Sequence, residues 1–168
     1  MKRILLAVLL FSGVGLWSSP ALALLNIISC SAGANGVNFG SYEPLSGQAV
    51  DSTGWVRFEC HSLVGLLTTR RVDFKVYLNG GEHGSVAQRV MKSGSNTLSY
   101  NLYTDSGHNT IWDDIGGAGF RGDTFVFQAL VSIGTSREAT YTIYGQIPGG
   151  QNVAAGNYSD TITATVLF

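Results

Sequence analysis

The end of the chain places the strongest constraint on its fold. From Ile162 onward every second residue is apolar, and Thr161, Thr163 and Thr165 alternate with them. The apolar set is Ile162, Ala164, Val166 and Phe168. A repeat of two residues predicts a β-strand with one face on a core and the other toward water. No turn and no further strand follow in the sequence, so we expect this strand to have an unpaired apolar edge.

The same period of two recurs along the chain. Val56, Phe58 and Cys60 alternate with charged and aromatic residues, and residues 71–78 repeat the pattern before a strong turn at residues 79–81. Further strands are predicted at residues 86–91, 98–103, 125–131 and 139–147, and an alternating stretch at 37–42. No long window keeps a helical repeat. The sequence therefore predicts an all-β domain of about seven short strands, which is typical of a β-sandwich.

The first 23 residues have the organisation of a signal peptide. Lys2 and Arg3 precede an apolar run at residues 4–17, and Ala21-Leu22-Ala23 fits the small-x-small cleavage rule. The run is short for a membrane-spanning helix, so an uncleaved anchor is the weaker alternative. We expect cleavage after Ala23, export through the periplasm to the cell surface or the medium, and a single mature domain at residues 24–168.

Charge and cysteine content support an extracellular location. Ten basic and eleven acidic residues give a net charge of −1, without the Lys/Arg clusters that nucleic-acid binding requires. Only 12% of the residues are charged, against about a quarter in an ordinary soluble domain. Cys30 and Cys60 are the only cysteines, and in an exported chain a disulfide is predicted between them. A two-cysteine metal or redox site is disfavoured, because there is no C-x-x-C spacing.

No residues form a recognisable catalytic or ligand-binding pattern. The three histidines share no metal-ligand spacing, and the loose cluster of Asp105, His108, Asp113 and Asp114 lacks the D-x-D-x-D-G pattern of a calcium loop. There is no G-x-S-x-G motif and no phosphate-binding loop. We therefore predict no enzyme, no cofactor, no metal and no small-molecule substrate. A carbohydrate-binding or hydrolytic domain, with Trp55 and tyrosines stacking on sugars, is the weaker alternative.

An apolar loop is unexpected between two predicted strands. Leu63, Val64, Leu66 and Leu67 surround a glycine at a place where polar turn residues are usual. The pattern fits either a buried corner or an exposed adhesive loop, and the sequence leaves both open.

Taken in order, several short motifs resemble one family. They lie at residues 37–42 after a cysteine, at 89–91, 98–105, 112–113, 144–148 and 155–161. This ordered set resembles the spore coat protein U domain family, whose members include subunits of archaic (Csu-type) chaperone–usher pili. The resemblance covers essentially the whole mature chain.

The resemblance implies an incomplete immunoglobulin-like sandwich whose final strand is supplied in trans. A periplasmic chaperone would lend that strand, and a sibling pilus subunit would replace it at the outer-membrane usher, which is a form of β-augmentation. The disulfide Cys30–Cys60 would then join the first two strands. The expected wall of the donor-strand groove is Val37, Phe39, Ile162, Ala164, Val166 and Phe168.

One feature departs from the family pattern. A donor segment needs a long alternating stretch ahead of the first cysteine, but only residues 24–29 lie between the predicted cleavage site and Cys30. We therefore expect a tip or minor subunit of a fimbria, and the apolar loop becomes a candidate for adhesion to abiotic surfaces and biofilm formation. Weak binding to a neighbour is an alternative. Another is a secreted spore or cyst coat or surface-matrix protein with a self-sufficient sandwich.

Overall fold

The computed structural model describes residues 28–63, 68–130 and 134–168. These residues form eight strands and one short 3-10 helix, Pro44–Ser46. The strands are β1 Ile28–Asn35, β2 Val50–Ser62, β3 Arg70–Leu78, β4 Arg89–Ser93, β5 Asn96–Tyr103, β6 Arg121–Phe127, β7 Ser136–Ile147 and β8 Ala164–Leu167. Within the described ranges, no helix is long and apolar enough to cross a membrane.

The strands form two antiparallel sheets of unequal width. The five-stranded sheet has the order β1-β2-β7-β5-β4, and the three-stranded sheet has the order β6-β3-β8. Phe58 of β2 packs against Phe74 of β3 and Phe125 of β6, with ring centroids 4.7 and 5.8 Å apart. These contacts place the two sheets face to face around one core. The predicted all-β sandwich is thus confirmed, with eight strands instead of about seven.

The period-two patterns of the long strands place their apolar residues in this core. Val56, Phe58 and Cys60 of β2 are each at most 1% exposed, as are Val76 and Leu78 of β3. The alternation therefore predicts the buried face of both strands correctly, because successive side chains of a strand point to opposite faces.

Three predicted segments differ from the observed strands. The strand predicted at 86–91 begins at Arg89, because Ser85 and Gln88 bond to each other's backbone in a turn. The strand predicted at 125–131 begins earlier, at Arg121, and ends at Phe127. Residues 37–42 alternate but form no strand, although Val37 and Phe39 still pack against the core.

The alternation of residues did not predict the first strand, because its middle consists of small and polar residues; only the family resemblance implied it, as the strand that carries Cys30. β1 pairs with β2 over its whole length, with Cys30 directly opposite Cys60. The two cysteines form the predicted disulfide. Pairing with a neighbour and a covalent link, and not local pattern, therefore hold this segment in an extended conformation.

Removing the disulfide should destabilise the fold by a predictable amount. Cys30 and Cys60 are separated by 30 residues, and the loop-entropy model gives about 3–4 kcal/mol for closing a loop of this size. We expect the double variant Cys30→Ala/Cys60→Ala to lose about that much free energy of unfolding in urea denaturation. Dithiothreitol should destabilise the wild type similarly and leave the variant unchanged. An equal response of both proteins to dithiothreitol would contradict the prediction.

Candidate functional site

β8 has one paired edge and one open edge. The backbone N–H of Asn79 donates to the carbonyl of Thr163 at 3.1 Å, and Thr165 lies opposite Tyr77 of β3. Bonded positions alternate along an antiparallel strand. The backbone groups of Ala164 and Val166 therefore point away from β3. Among the described residues, no strand pairs with that side of β8.

A groove runs beside this open edge. Its volume is about 300 Å³, and it lies between the segment at residues 34–39 and the segment at residues 158–164. The walls include Val37, Phe39, Ile162 and Ala164, and the floor includes inner-face residues of the five-stranded sheet: Val56, Leu102 and Ile143. A second hollow of about 890 Å³ shares Val37, Phe39, Met91 and Tyr158 with it and extends to Leu45 and Ile147. The two hollows therefore adjoin; the first is lined mainly by apolar side chains, and the second by polar and apolar groups alike.

The structure brings four of the six predicted groove residues together. Val37 and Phe39 lie on one side of the groove, and Ile162 and Ala164 lie on the other. Val166 and Phe168 continue the same face of the tail but line neither hollow. Val166 packs against the core, and the Phe168 ring lies 5.3 Å from that of Phe58. Contact of these residues with a donor strand stays a prediction.

A glycine allows the wall segment to approach the floor closely. A Cβ at Gly145 of β7 would lie 2.8 Å from side-chain atoms of both Val37 and Phe39. Any larger residue would force these side chains out of the groove. The absence of a side chain at this position therefore lets residues 37–39 pack directly on the five-stranded sheet.

One stretch of the groove wall is polar. The hydroxyl of Tyr100 donates to Oδ2 of Asp160 at 2.8 Å, and Oδ1 of Asp160 accepts the backbone N–H groups of Glu82 and Thr161, both at 2.9 Å. Burial, with the hydrogen bond to Asp160, raises the pKa of Tyr100 well above its ordinary value. The phenol therefore stays protonated and acts as a donor to the carboxylate.

Sequence reasoning missed a fully buried arginine next to the groove. Arg89 is 0% exposed, and its guanidinium donates to four oxygens at 2.6–2.9 Å. The acceptors are the backbone carbonyls of Asn79, Leu78 and Trp112 and the side-chain oxygen of Asn101. Burial lowers the pKa of Arg89. The cluster joins the end of β3 to β4, β5 and the loop at Trp112, whose side chain is itself fully buried.

One of the loosely clustered acids, Asp105, stabilises a turn. The carboxylate of Asp105 accepts backbone N–H groups of Gly107, Asn109 and Thr110, and these bonds lower the pKa of Asp105. His108 lies near Gln146, with 3.2 Å between their nitrogens. Among the residues that the structure describes, no group of three or more His, Cys, Asp or Glu is placed to hold a metal ion.

A serine, a histidine and a glutamate lie in a row on the outer face of the five-stranded sheet. The Ser136 hydroxyl is 2.7 Å from Nδ1 of His61, and Nε2 of His61 is 3.1 Å from Glu59. The His61 side chain is 44% exposed, so the row lies in water and links β2 to β7. In the described lining of the 300 Å³ groove, Asp160 is the only carboxylate, so that lining lacks the paired acids of a glycosidase.

The apolar loop is described only at its start. Leu63 is 58% exposed, and Val64, Leu66 and Leu67 lie outside the described residues. Leu130, which is 74% exposed, belongs to the neighbouring connection between β6 and β7. That connection is attached to the end of β2 by the bond from the N–H of Gly134 to the carbonyl of Ser62.

The two sheets and the groove define a β-sandwich domain in which the groove lies beside the unpaired edge of β8. The chain belongs to the Spore Coat Protein U domain family, whose model matches residues 17–165. It is 32% identical to "Protein U" of Myxococcus xanthus over 148 residues, which are 84% of this chain and 76% of that protein.

A solved structure of a chaperone complex is also similar to this chain. It is the CsuC–CsuE chaperone-tip adhesion subunit pre-assembly complex from the archaic chaperone–usher Csu pili of Acinetobacter baumannii. The match has a TM-score of 0.43 and 24% identity, and covers 84% of this chain and 40% of that one. A TM-score this low has no bearing on function.

Arg89 should contribute far more to stability than an exposed arginine does. Replacement by methionine leaves three buried backbone carbonyls without their donor, so Arg89→Met should cost about 3–5 kcal/mol in urea denaturation. Arg57→Met is the matched control, because Arg57 is exposed on the outer face, where it forms a 3.7 Å ion pair with Glu138 and lies 5.4 Å from the centre of the Trp55 ring. The control should cost less than about 1 kcal/mol. Equal effects of the two substitutions would contradict the buried cluster's role.

Proposed function

We propose that the protein is a structural or adhesive subunit of a surface pilus, assembled by donor-strand complementation. The observation that carries this proposal is the open edge of β8 at Ala164 and Val166 beside an apolar groove. An exposed strand edge is a template for another strand, and main-chain hydrogen bonds with alternate side chains in a groove are the chemistry of β-augmentation. No catalytic function is proposed.

The partners follow from the family and from this geometry. A periplasmic chaperone would insert a strand between β8 and residues 37–39, and a sibling subunit would replace it at an outer-membrane usher. Each apolar side chain that a donor buries fully would contribute about 1.5–3 kcal/mol. Export to the cell surface is part of the same proposal.

Blocking the groove should abolish complex formation. Ala164 lines the groove, whereas its neighbour Thr163 is exposed on the opposite face of the strand. We expect Ala164→Arg to abolish recovery of a one-to-one complex on co-expression with the cognate chaperone, because a long cation would occupy the donor's place. Thr163→Arg, the matched control, should assemble normally. A stable complex with Ala164→Arg would show that the donor does not enter this groove.

We propose that this subunit lies at the tip of the pilus or is one of its minor subunits. Ile28, Ser29 and Cys30 are already paired with β2 in the chain's own sheet, so only residues 24–27 separate the predicted cleavage site from β1. A segment of that length fills one or two groove sites at most. Such a subunit would receive a strand without donating one of useful length.

The apolar loop is proposed as the adhesive element. The exposure of Leu63 supports this, as does the nearby exposed Leu130. We expect Leu66→Ser/Leu67→Ser in assembled pili to lower adhesion to hydrophobic plastic several-fold, because apolar contact area is lost. Ile115→Ser is the control, since Ile115 is also exposed (56%) but lines neither hollow. Unchanged adhesion of the double variant would contradict the proposed role.

A secreted coat or surface-matrix protein is the second candidate. The family description and the 32% identity to Protein U favour it. A coat protein with a self-sufficient sandwich would purify alone as a stable monomer. A pilus subunit expressed without a chaperone would aggregate or be degraded, because its strand edge and groove are exposed. Periplasmic expression of the mature chain alone separates the two.

A further inference from the structure

The groove is chemically uneven along its length. One stretch is apolar and includes Val56, Leu102 and Ile143 in its lining. Another carries the carboxylate of Asp160, held by the Tyr100 hydroxyl and two backbone N–H groups. A carboxylate has about four acceptor positions, so Asp160 can accept one more hydrogen bond from a group in the groove.

The charges around this stretch are unbalanced. The carboxylates of Asp113, Asp114 and Asp160 all lie close enough to Arg89 to raise its pKa against the effect of burial. Arg89 is the buried positive charge near these carboxylates, and its N–H groups already donate to four other oxygens. Lys92, next to Ser159, has an exposed side chain and alternates with the inward Met91. In the groove itself, the described lining contains one carboxylate, that of Asp160, and no Lys, Arg or His.

We propose that the strand which fills this groove carries a lysine or arginine at the position facing Asp160, between apolar residues that enter the remaining stretch. The proposal rests on the proposed function and deepens it by naming the chemistry of the donor. A cation at that position would bond to the remaining lone pair of Asp160 in a water-poor groove, where an ion pair is stronger than at a surface. The occupant is a β-strand of another polypeptide.

A donor strand with a different residue at the position facing Asp160 should bind more weakly. A glutamate would place a like charge beside Asp160 at a site with reduced hydration, which costs several-fold to many-fold in affinity. A leucine would strip water from the carboxylate without offering it a donor. The groove thereby selects one register of a donor strand, since a shift by two residues moves the cation onto the apolar stretch.

Synthetic peptides test this directly. The mature oxidised chain is refolded with peptides that carry valine at inward positions and threonine at outward positions. One inward position at a time carries Lys, Glu or Leu. We expect a single position at which the Lys peptide binds about tenfold tighter than the Glu peptide, which corresponds to about 1.4 kcal/mol. In Asp160→Asn that preference should fall below about twofold, whereas Tyr100→Phe, which keeps the carboxylate, should retain it.

The outcomes separate this inference from the function it rests on. Binding of the peptides with equal affinity for Lys, Glu and Leu at every position would overturn the inference and leave donor-strand assembly standing. Failure of every peptide to bind the refolded chain would overturn both. If Asp160→Asn does not refold, the salt dependence in the wild type decides: added sodium chloride must weaken the Lys preference, and an unchanged preference overturns the proposal.

Discussion

The unequal width of the two sheets is the constraint on which the rest of the structure depends. Five strands present an apolar inner face, and three strands are too few to cover it. Ile143 and Leu102 are buried, yet they line the groove that this mismatch leaves beside β8. Apolar surface next to water and a strand edge with unsatisfied backbone groups are unfavourable for the same reason. The uncovered apolar surface and the unpaired edge of β8 lie side by side. One added strand would cover the first and pair with the second.

The segment at residues 37–39, which is not a strand, already covers part of the apolar inner face of the five-stranded sheet. Val37 and Phe39 lie across β7 at Gly145, and the Phe39 ring makes an edge-on contact with Tyr100 at 5.8 Å. Opposite them, Arg89 and its four oxygen acceptors fix the ends of β3 and the loop at Trp112 independently of any partner. The hydrogen-bonded cluster around Arg89 thus lies on one side of the groove. The segment at residues 37–39, which makes few backbone hydrogen bonds, lies on the other.

The sequence predicted those parts of the structure whose cause is local. The period of two alone placed Val56 and Phe58 of β2 on the buried face of their strand. Periodicity did not predict β1, because its small residues are extended through pairing with β2; only the family resemblance implied a strand at Cys30. The burial of Arg89 could not be predicted from the sequence either, because the oxygens that accept its hydrogen bonds come from distant segments that only the fold brings together. The groove residues were expected from a family resemblance, and periodicity alone did not decide which face of the tail lines it.

The failed strand prediction at residues 37–42 is informative for the same reason. The segment has the alternation of a strand, and Val37 and Phe39 point to the core as that alternation requires. What it lacks is a neighbour, because β8 lies across the groove and pairs only with β3. Strand geometry is stabilised by ladder bonds and cross-strand contacts, not by pattern alone. The alternation in residues 37–42 therefore directs Val37 and Phe39 to the core without making the segment a strand.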